Sequence, residues 1–229
     1  MGTILLIHGA LGSASQVAPL AAVLRDAYDV HTVELDGHGD TPAATDSYSI
    51  AGFARNVRDF MVSREISHAT VFGYSMGGYV ALQLAAESPD LISTVATLGT
   101  KLAWTPEGAA RETSRLDPAA IIAKVPQFAA ALEARHAGAG GWERVLAKTA
   151  RLMAELGARP IVDAAVLSRV QQRVRLMVGD RDNVVTVDET VAASRAIGRG
   201  ELCVLPNTPH PFEQVRIPLL ASILRDVIA

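Results

Sequence analysis

Cysteine is almost missing from this chain: Cys203 is the only one in 229 residues. Disulfides therefore cannot hold the fold, which suits a reducing cytoplasm. Cys203 sits in an apolar, strand-like run and reads as a buried thiol. No uninterrupted apolar run approaches the ~20 residues that a spanning helix requires, so no membrane association is expected. The first apolar run, 3–7, is preceded by no basic n-region and followed by no cleavage site, so no signal peptide is expected. A cytoplasmic location is the expectation from these features together. Basic tracts are missing too, and with 21 Lys/Arg against 24 Asp/Glu the formal charge is −3, which argues against nucleic acid as a partner. Internal repeats and low-complexity segments are absent. What is present is 49% hydrophobic sequence, too much for disorder and enough, over this length, for one large domain or a domain with an insertion.

Short apolar runs alternate with helical patterns. A first strand at 3–7 ends in His8-Gly9-Ala10-Leu11-Gly12-Ser13, and Val17, Leu20, Ala21 and Leu24 then mark an amphipathic helix. A second strand at 28–35 leads into Asp36-Gly37-His38-Gly39-Asp40. Ser49 can cap a helix striped by Ile50, Phe53, Ala54, Val57 and Met61. Strands follow at 69–72, 94–98, 174–178 and 202–205. Thr186-Val187-Asp188-Glu189 has the pattern of a capping box, and Ile217, Leu220, Ala221, Leu224 and Ile228 stripe a last helix. This alternation predicts an α/β fold with an open, mostly parallel sheet covered by helices on both faces.

Residues 101–165 have a different texture, rich in Ala, Arg and Glu. Prolines 106, 118 and 126 break the helical pattern and Gly138–Gly141 reads as a loop. This is expected to be a small helical insertion in a core made of 1–100 and 166–229. Residues 101–175 hold 12 Lys/Arg and 7 Asp/Glu, a formal +5 against −8 for the rest of the chain. A solvated helical face accounts for that; attraction of an anionic substrate is the sharper alternative.

The stretch that organises the chain is Val71-Phe72-Gly73-Tyr74-Ser75-Met76-Gly77-Gly78. It joins a β-branched, buried strand to an Ala/Leu-rich helix. A serine at so sharp a turn holds a strained backbone and an exposed hydroxyl, and Gly73 and Gly77 allow close backbone approach. In an open parallel sheet, chemistry belongs at the carboxyl ends of the strands. Ser75 follows the third strand, Asp180 and Asp182 the fifth, and His210 the sixth. An unassisted serine hydroxyl is a poor nucleophile at neutral pH. His210 would take its proton, and one of the two aspartates would hold the imidazole tautomer. Amides of Met76 and of Ala10 would stabilise an oxyanion.

These motifs, with Gly179-Asp180-Arg181-Asp182 and Pro209-His210-Pro211-Phe212-Glu213, span nearly the whole chain, and together they resemble the α/β-hydrolase superfamily. The resemblance implies an α/β-hydrolase fold with a Ser75–Asp182–His210 triad, an oxyanion hole at Ala10 and Met76, and a helical lid at 101–165. It favours Asp182 over Asp180, leaving Asp180 to tie down its own turn through local amides. Two features depart from the family. Only Met1 and Gly2 precede the His-Gly strand, so the sheet is expected to be shortened at that edge, and Pro209 stands where many members have glycine. Leu102, Trp104, Leu116, Phe128, Leu132, Trp142 and Leu146 are expected to line part of a pocket.

Other residues have plainer readings. His8 orders the backbone of its own turn. Asp36, His38 and Asp40 superficially resemble metal ligands but lack a helical His-x-x-x-His frame, so no metal is expected. Gly9 and Gly12 do not complete a dinucleotide fingerprint, so no cofactor is expected either. His31, His68 and His136 read as ordinary polar residues. The expected partner is a small-molecule substrate, and the leading function is a serine hydrolase cleaving a small ester, thioester or amide through an acyl-enzyme. The same elbow resembles C–C bond hydrolases and menaquinone-pathway lyases, where an anionic compound is handled without an acyl-enzyme. Hormone receptors built on this fold supply a third, non-catalytic reading.

Overall fold

The computed structural model describes residues 2–228. Strands β1 (Thr3–Ile7), β2 (Asp29–Val33), β3 (Ala69–Tyr74), β4 (Ile92–Leu98), β5 (Arg173–Gly179) and β6 (Gly200–Leu205) form one sheet in the order β2-β1-β3-β4-β5-β6. Every neighbouring pair is parallel. Among the described residues β2 is the edge strand at the end where shortening was expected. Side chains of a strand alternate between faces. In β1, accordingly, Leu5 and Ile7 enter one buried cluster while Ile4 and Leu6 enter another. The same split separates Val71 from Phe72 and Leu176 from Met177. Both faces are thus apolar and need helices, as in parallel sheets generally.

The helices follow in chain order: α1 (Ala18–Leu24), α2 (Ile50–Ser63), α3 (Met76–Glu87), α4 (Pro106–Thr113), α5 (Pro118–Lys124), α6 (Pro126–Arg135), α7 (Trp142–Ala158), α8 (Ala164–Leu167), α9 (Val187–Ala196) and α10 (Ile217–Ile228). Leu20 and Leu24 of α1 and Leu220 and Leu224 of α10 cover one face of the sheet. Phe53 and Val57 of α2, Val80 and Leu84 of α3 and Ala193 of α9 cover the other. Each of the Leu, Val and Phe side chains among these contributes about 1.5–3 kcal/mol relative to exposure. Ser49 caps α2 by accepting the Gly52 amide, and Thr186 with Glu189 forms a complete capping box on α9; caps of this kind are worth ~1 kcal/mol.

Cys203 is half-buried, where a buried thiol was expected. The cause is its edge strand: the Cys203 side packs against the cluster under α1 and α10, while Leu202 and Val204 on the opposite side are each 40% exposed.

Helices α4 to α7 all lie between β4 and β5. Pro106, Pro118 and Pro126 do not interrupt helices; each is the first residue of one, where the missing N–H costs nothing and the fixed φ suits the helix. Ile121, Ala129, Leu132, Trp142 and Leu146 build a small core of their own in this segment. Gly157 lets α4 and α7 approach, since a Cβ there would stand 2.4 Å from that of Ala109. α8 packs instead on α3 and α9, helices of the sheet layer.

Candidate active site

The strand-to-helix turn after β3 puts Ser75 at φ 51°, ψ −115°, a conformation that costs a non-glycine residue ~1–3 kcal/mol and persists only when its surroundings over-determine it. They do. The Ser75 amide donates to the Leu98 carbonyl at 2.8 Å, and the Ser75 carbonyl accepts from the Gly78 amide at 3.0 Å and the Thr100 hydroxyl at 3.1 Å. Three glycines make room for the turn. A Cβ at Gly73 would stand 2.3 Å from the Gly77 carbonyl oxygen, one at Gly77 2.5 Å from that of His8, and one at Gly78 2.0 Å from the Thr100 hydroxyl.

The structure brings Ser75, His210 and Asp182 together at the carboxyl ends of β3, β5 and β6. Ser75 Oγ lies 3.3 Å from His210 Nε2, and His210 Nδ1 lies 2.7 Å from Asp182 Oδ2. The other Asp182 oxygen, Oδ1, accepts the Val184 and Val185 amides, each at 2.8 Å. Burial opposes ionisation of Asp182, but the hydrogen bond and charge of His210 with these two amides outweigh it and hold the carboxyl below its ordinary range.

Asp180 behaves differently from the expectation. Its Oδ1 accepts the Thr208 amide at 3.2 Å, so it ties β5 to the loop carrying His210 and not to its own turn. The local Asx-type bonding expected of Asp180 is made by Asp182. The chain turns at 180–182, so the two carboxylates do not share one direction as an extended segment would require.

Three residues that the motif reading passed over also build the site. Tyr74 donates its hydroxyl to the His210 carbonyl at 2.8 Å and so anchors the histidine loop. Thr100 clamps the elbow. Gly99, at φ 61°, forms the floor under the pair, since a Cβ there would lie 3.2 Å from both Asp182 and His210. A Gly-Thr pair directly after a buried strand was the available signal for the last two.

Ala10 and Met76 line the cavity beside Ser75. The turn bearing Ala10 is held by Gly9 N–H on Gln16 Oε1 and by Gly12 N–H on the Gly9 carbonyl. His8 is completely buried; its Nδ1 lies 2.8 Å from the Gly9 carbonyl and its Nε2 accepts the Leu35 amide, so it fixes backbone as expected. The cavity has a volume of about 320 Å³, within the range of small-molecule pockets. Of the seven apolar residues expected to line it, Trp104, Leu116 and Phe128 do. Leu132, Trp142 and Leu146 instead form the small core of the helical segment, and Leu102 packs on the main cluster. Leu152, Met153 and Leu156 of α7 take their place.

Asp36 serves its own loop, both carboxylate oxygens accepting the Ala44 amide. His136 is no ordinary polar residue. It is completely buried, its Nδ1 accepting the Gly39 amide and its Nε2 donating to the Leu11 carbonyl, both at 3.1 Å. It therefore pins the helical segment to two loops of the sheet domain. His38, also buried, lies between His8 and His136 with ring centroids 5.1 and 5.8 Å away. Desolvation lowers the pKa of both His38 and His136, aided by repulsion from His8 and His136 for the former and from Arg135 and His8 for the latter. The folded state then binds fewer protons than the unfolded chain below about pH 6.5, so stability falls as pH drops beneath that value. Each histidine adds a slope of at most about 1.4 kcal/mol per pH unit until its own folded pKa is reached. Urea unfolding at pH 7.5 and 5.5 should show a clear loss of midpoint at the lower pH, reduced in His136→Asn.

An open parallel sheet with a positive-φ serine after its third strand is compatible with more than one family until sequence is compared directly. The model of the alpha/beta hydrolase fold family matches residues 2–128, more than half of the chain. The chain belongs to the α/β-hydrolase fold family. That match contains Ser75, Ala10 and Met76 but ends before Asp182 and His210, so the placement of those two rests on geometry. Among curated relatives, the chain is 38% identical over 94 residues to the dihydrolipoyllysine-residue acetyltransferase component of the acetoin cleaving system of Cupriavidus necator, covering 41% of this chain and 25% of that protein. It is 31% identical over 97 residues to the uncharacterized hydrolase YugF of Bacillus subtilis, covering 42% and 36%. The chain thus spans well under half the length of these relatives. Among solved structures, the enol-lactonase of Burkholderia xenovorans LB400 superposes with a TM-score of 0.81 at 19% identity, over 99% of this chain and 91% of that one. At that identity the likeness speaks to the α/β-hydrolase fold alone.

Proposed function

We propose that this protein is a cofactor-independent serine hydrolase that cleaves a small ester, thioester or amide through an acyl-enzyme. One observation carries the reading: Ser75, His210 and Asp182 form a continuous chain of contacts at 3.3 and 2.7 Å whose open end faces a cavity of about 320 Å³. Asp182 ionised at neutral pH holds the proton on His210 Nδ1, which leaves Nε2 free to accept the Ser75 proton as Oγ attacks the carbonyl carbon. The amides of Met76 and Ala10 would take the developing oxyanion. His210 then returns its proton to the leaving group, and a water activated the same way releases the acyl group. Of the segment 101–165 expected to be a lid, residues 101–163 act as one, because Trp104, Leu116, Phe128 and α7 supply much of the cavity wall, while α8, which begins at Ala164, belongs to the sheet layer. The acetyltransferase component among the relatives fits acyl chemistry of this kind.

The reading with an anionic substrate has a specific observation to weigh. Lys101, Arg115 and Arg135 line the cavity, yet each already faces a carboxylate: Lys101 Glu189 at 3.9 Å, Arg115 Glu112 at 3.1 Å, and Arg135 Glu213 at 3.9 Å. This favours a neutral acyl group. A small fluorophosphonate followed by intact-mass analysis tests the proposal: one covalent adduct, mapped to Ser75, is expected. Absence of any adduct in folded protein would favour a non-catalytic binding role, and an adduct combined with slow turnover of every activated ester would favour lyase chemistry.

A further inference from the structure

Among the described residues, five buried side-chain polar atoms have no hydrogen-bond partner: His38 Nε2, Gln83 Oε1, Trp104 Nε1, Thr149 Oγ1 and Gln172 Oε1. Such atoms are uncommon in folded proteins and call for an explanation. Two of the five, on Trp104 and Thr149, belong to residues that line the cavity holding Ser75; the other three belong to residues outside its lining. Both come from the helical segment between β4 and β5.

Thr149 is the more telling of the two. It lies in the apolar stripe of α7, with Trp142, Val145, Leu146, Leu152 and Leu156, and is completely buried. A helical threonine ordinarily satisfies its hydroxyl on a carbonyl three or four residues earlier. Ser63, Thr113, Thr190 and Ser194 all do so in this protein. Thr149 forgoes that partner, although valine would fill the same space without a polar atom.

We infer that Trp104 and Thr149 form a hydrogen-bonding subsite in the cavity wall, selecting substrates that carry a second, neutral acceptor oxygen apart from the scissile carbonyl. The inference rests on the cavity being the substrate site of the serine-hydrolase reading. Indole Nε1 can only donate, and the threonine hydroxyl can donate or accept, so an oxo or amide oxygen satisfies either. A carboxylate fits less well, because the cation beside Trp104, Lys101, is bound to the Val184 carbonyl and faces Glu189 at 3.9 Å, and an uncompensated charge is costly to bury. The substrate class is therefore an oxoacyl or amidoacyl ester or its thioester equivalent.

The test uses Ser75→Ala protein, in which esters bind without turning over, and calorimetry with methyl esters of straight-chain acids and their oxo counterparts, the oxo group moved stepwise along the chain. For at least one position the oxo ester should bind about fivefold more tightly than its methylene parent, the usual worth of one neutral hydrogen bond. That preference should drop below about twofold when Thr149→Val or Trp104→Phe is added. The ligand-free Thr149→Val protein should also melt at a higher temperature, because an unpaired buried hydroxyl has been removed. No preference at any position, no binding by any ester, a preference that survives both substitutions, or a lower melting temperature for Thr149→Val would each overturn the subsite. If Trp104→Phe does not fold, the Thr149 arm decides. Failure of the serine chemistry reads separately, as absence of the fluorophosphonate adduct in the unmodified protein.

Discussion

Ser75→Ala should reduce turnover of any substrate ester by ~10⁴-fold or more while the protein stays folded. The size follows from how such groups act: once the nucleophile is gone, what remains is the catalysis supplied by the oxyanion donors and by binding. Retention of the fold follows from where the side chain sits. Among the described residues its one side-chain hydrogen bond is with His210, whereas the elbow is held through backbone groups by Leu98, Gly78 and Thr100. Alanine keeps those bonds and also keeps the strain, because φ 51° is imposed by the chain and not by the hydroxyl. Ser75→Gly should relieve it and be the more stable of the two by about 1 kcal/mol. Steady-state kinetics with urea unfolding of both variants checks this; a Ser75→Ala protein retaining a substantial share of activity on its best substrate removes Ser75 as nucleophile.

The fold was legible because it is written in short-range patterns. Short apolar runs and 3.6-period stripes named the six strands and the helices that cover them, and Ser49 and Thr186 marked helix starts that the structure bears out. The turns were less so. Asp180 and Asp182 could not be told apart from strand alternation, because the reversal of the chain at that point depends on the Thr208 loop, which is remote in sequence. His136 read as an ordinary polar residue, since nothing near it in sequence records that the Leu11 carbonyl and the Gly39 amide will meet it across 125 and 97 residues. The cavity wall was misjudged for a related reason. Large apolar residues such as Trp142 and Leu146 fill the helical segment's own core first, and only the next turns of α7 face the cavity.

Asp182→Asn should lower kcat by about 10³–10⁴ near neutral pH, while Asp180→Asn should leave kcat within a few-fold of the unmodified protein. In Asp182→Asn the amide oxygen can keep the Val184 and Val185 amides that Oδ1 now accepts. The amide nitrogen then faces His210 Nδ1 across the 2.7 Å contact and can only donate. Nδ1 is forced to be the acceptor, the ring proton moves to Nε2, and Nε2 can no longer accept the Ser75 proton. The carboxylate that would stabilise the imidazolium is lost as well. Raising the pH should restore part of the rate, because hydroxide lessens the need for a base. In Asp180→Asn the remaining oxygen still accepts the Thr208 amide, so the His210 loop keeps its tether and stability should fall by no more than about 1 kcal/mol. Kinetics and urea unfolding of both variants decide between the two acids. A collapse of kcat confined to Asp180→Asn would reverse the assignment, and comparable losses in both would mean that the loop tether and the histidine partner cannot be separated by charge removal.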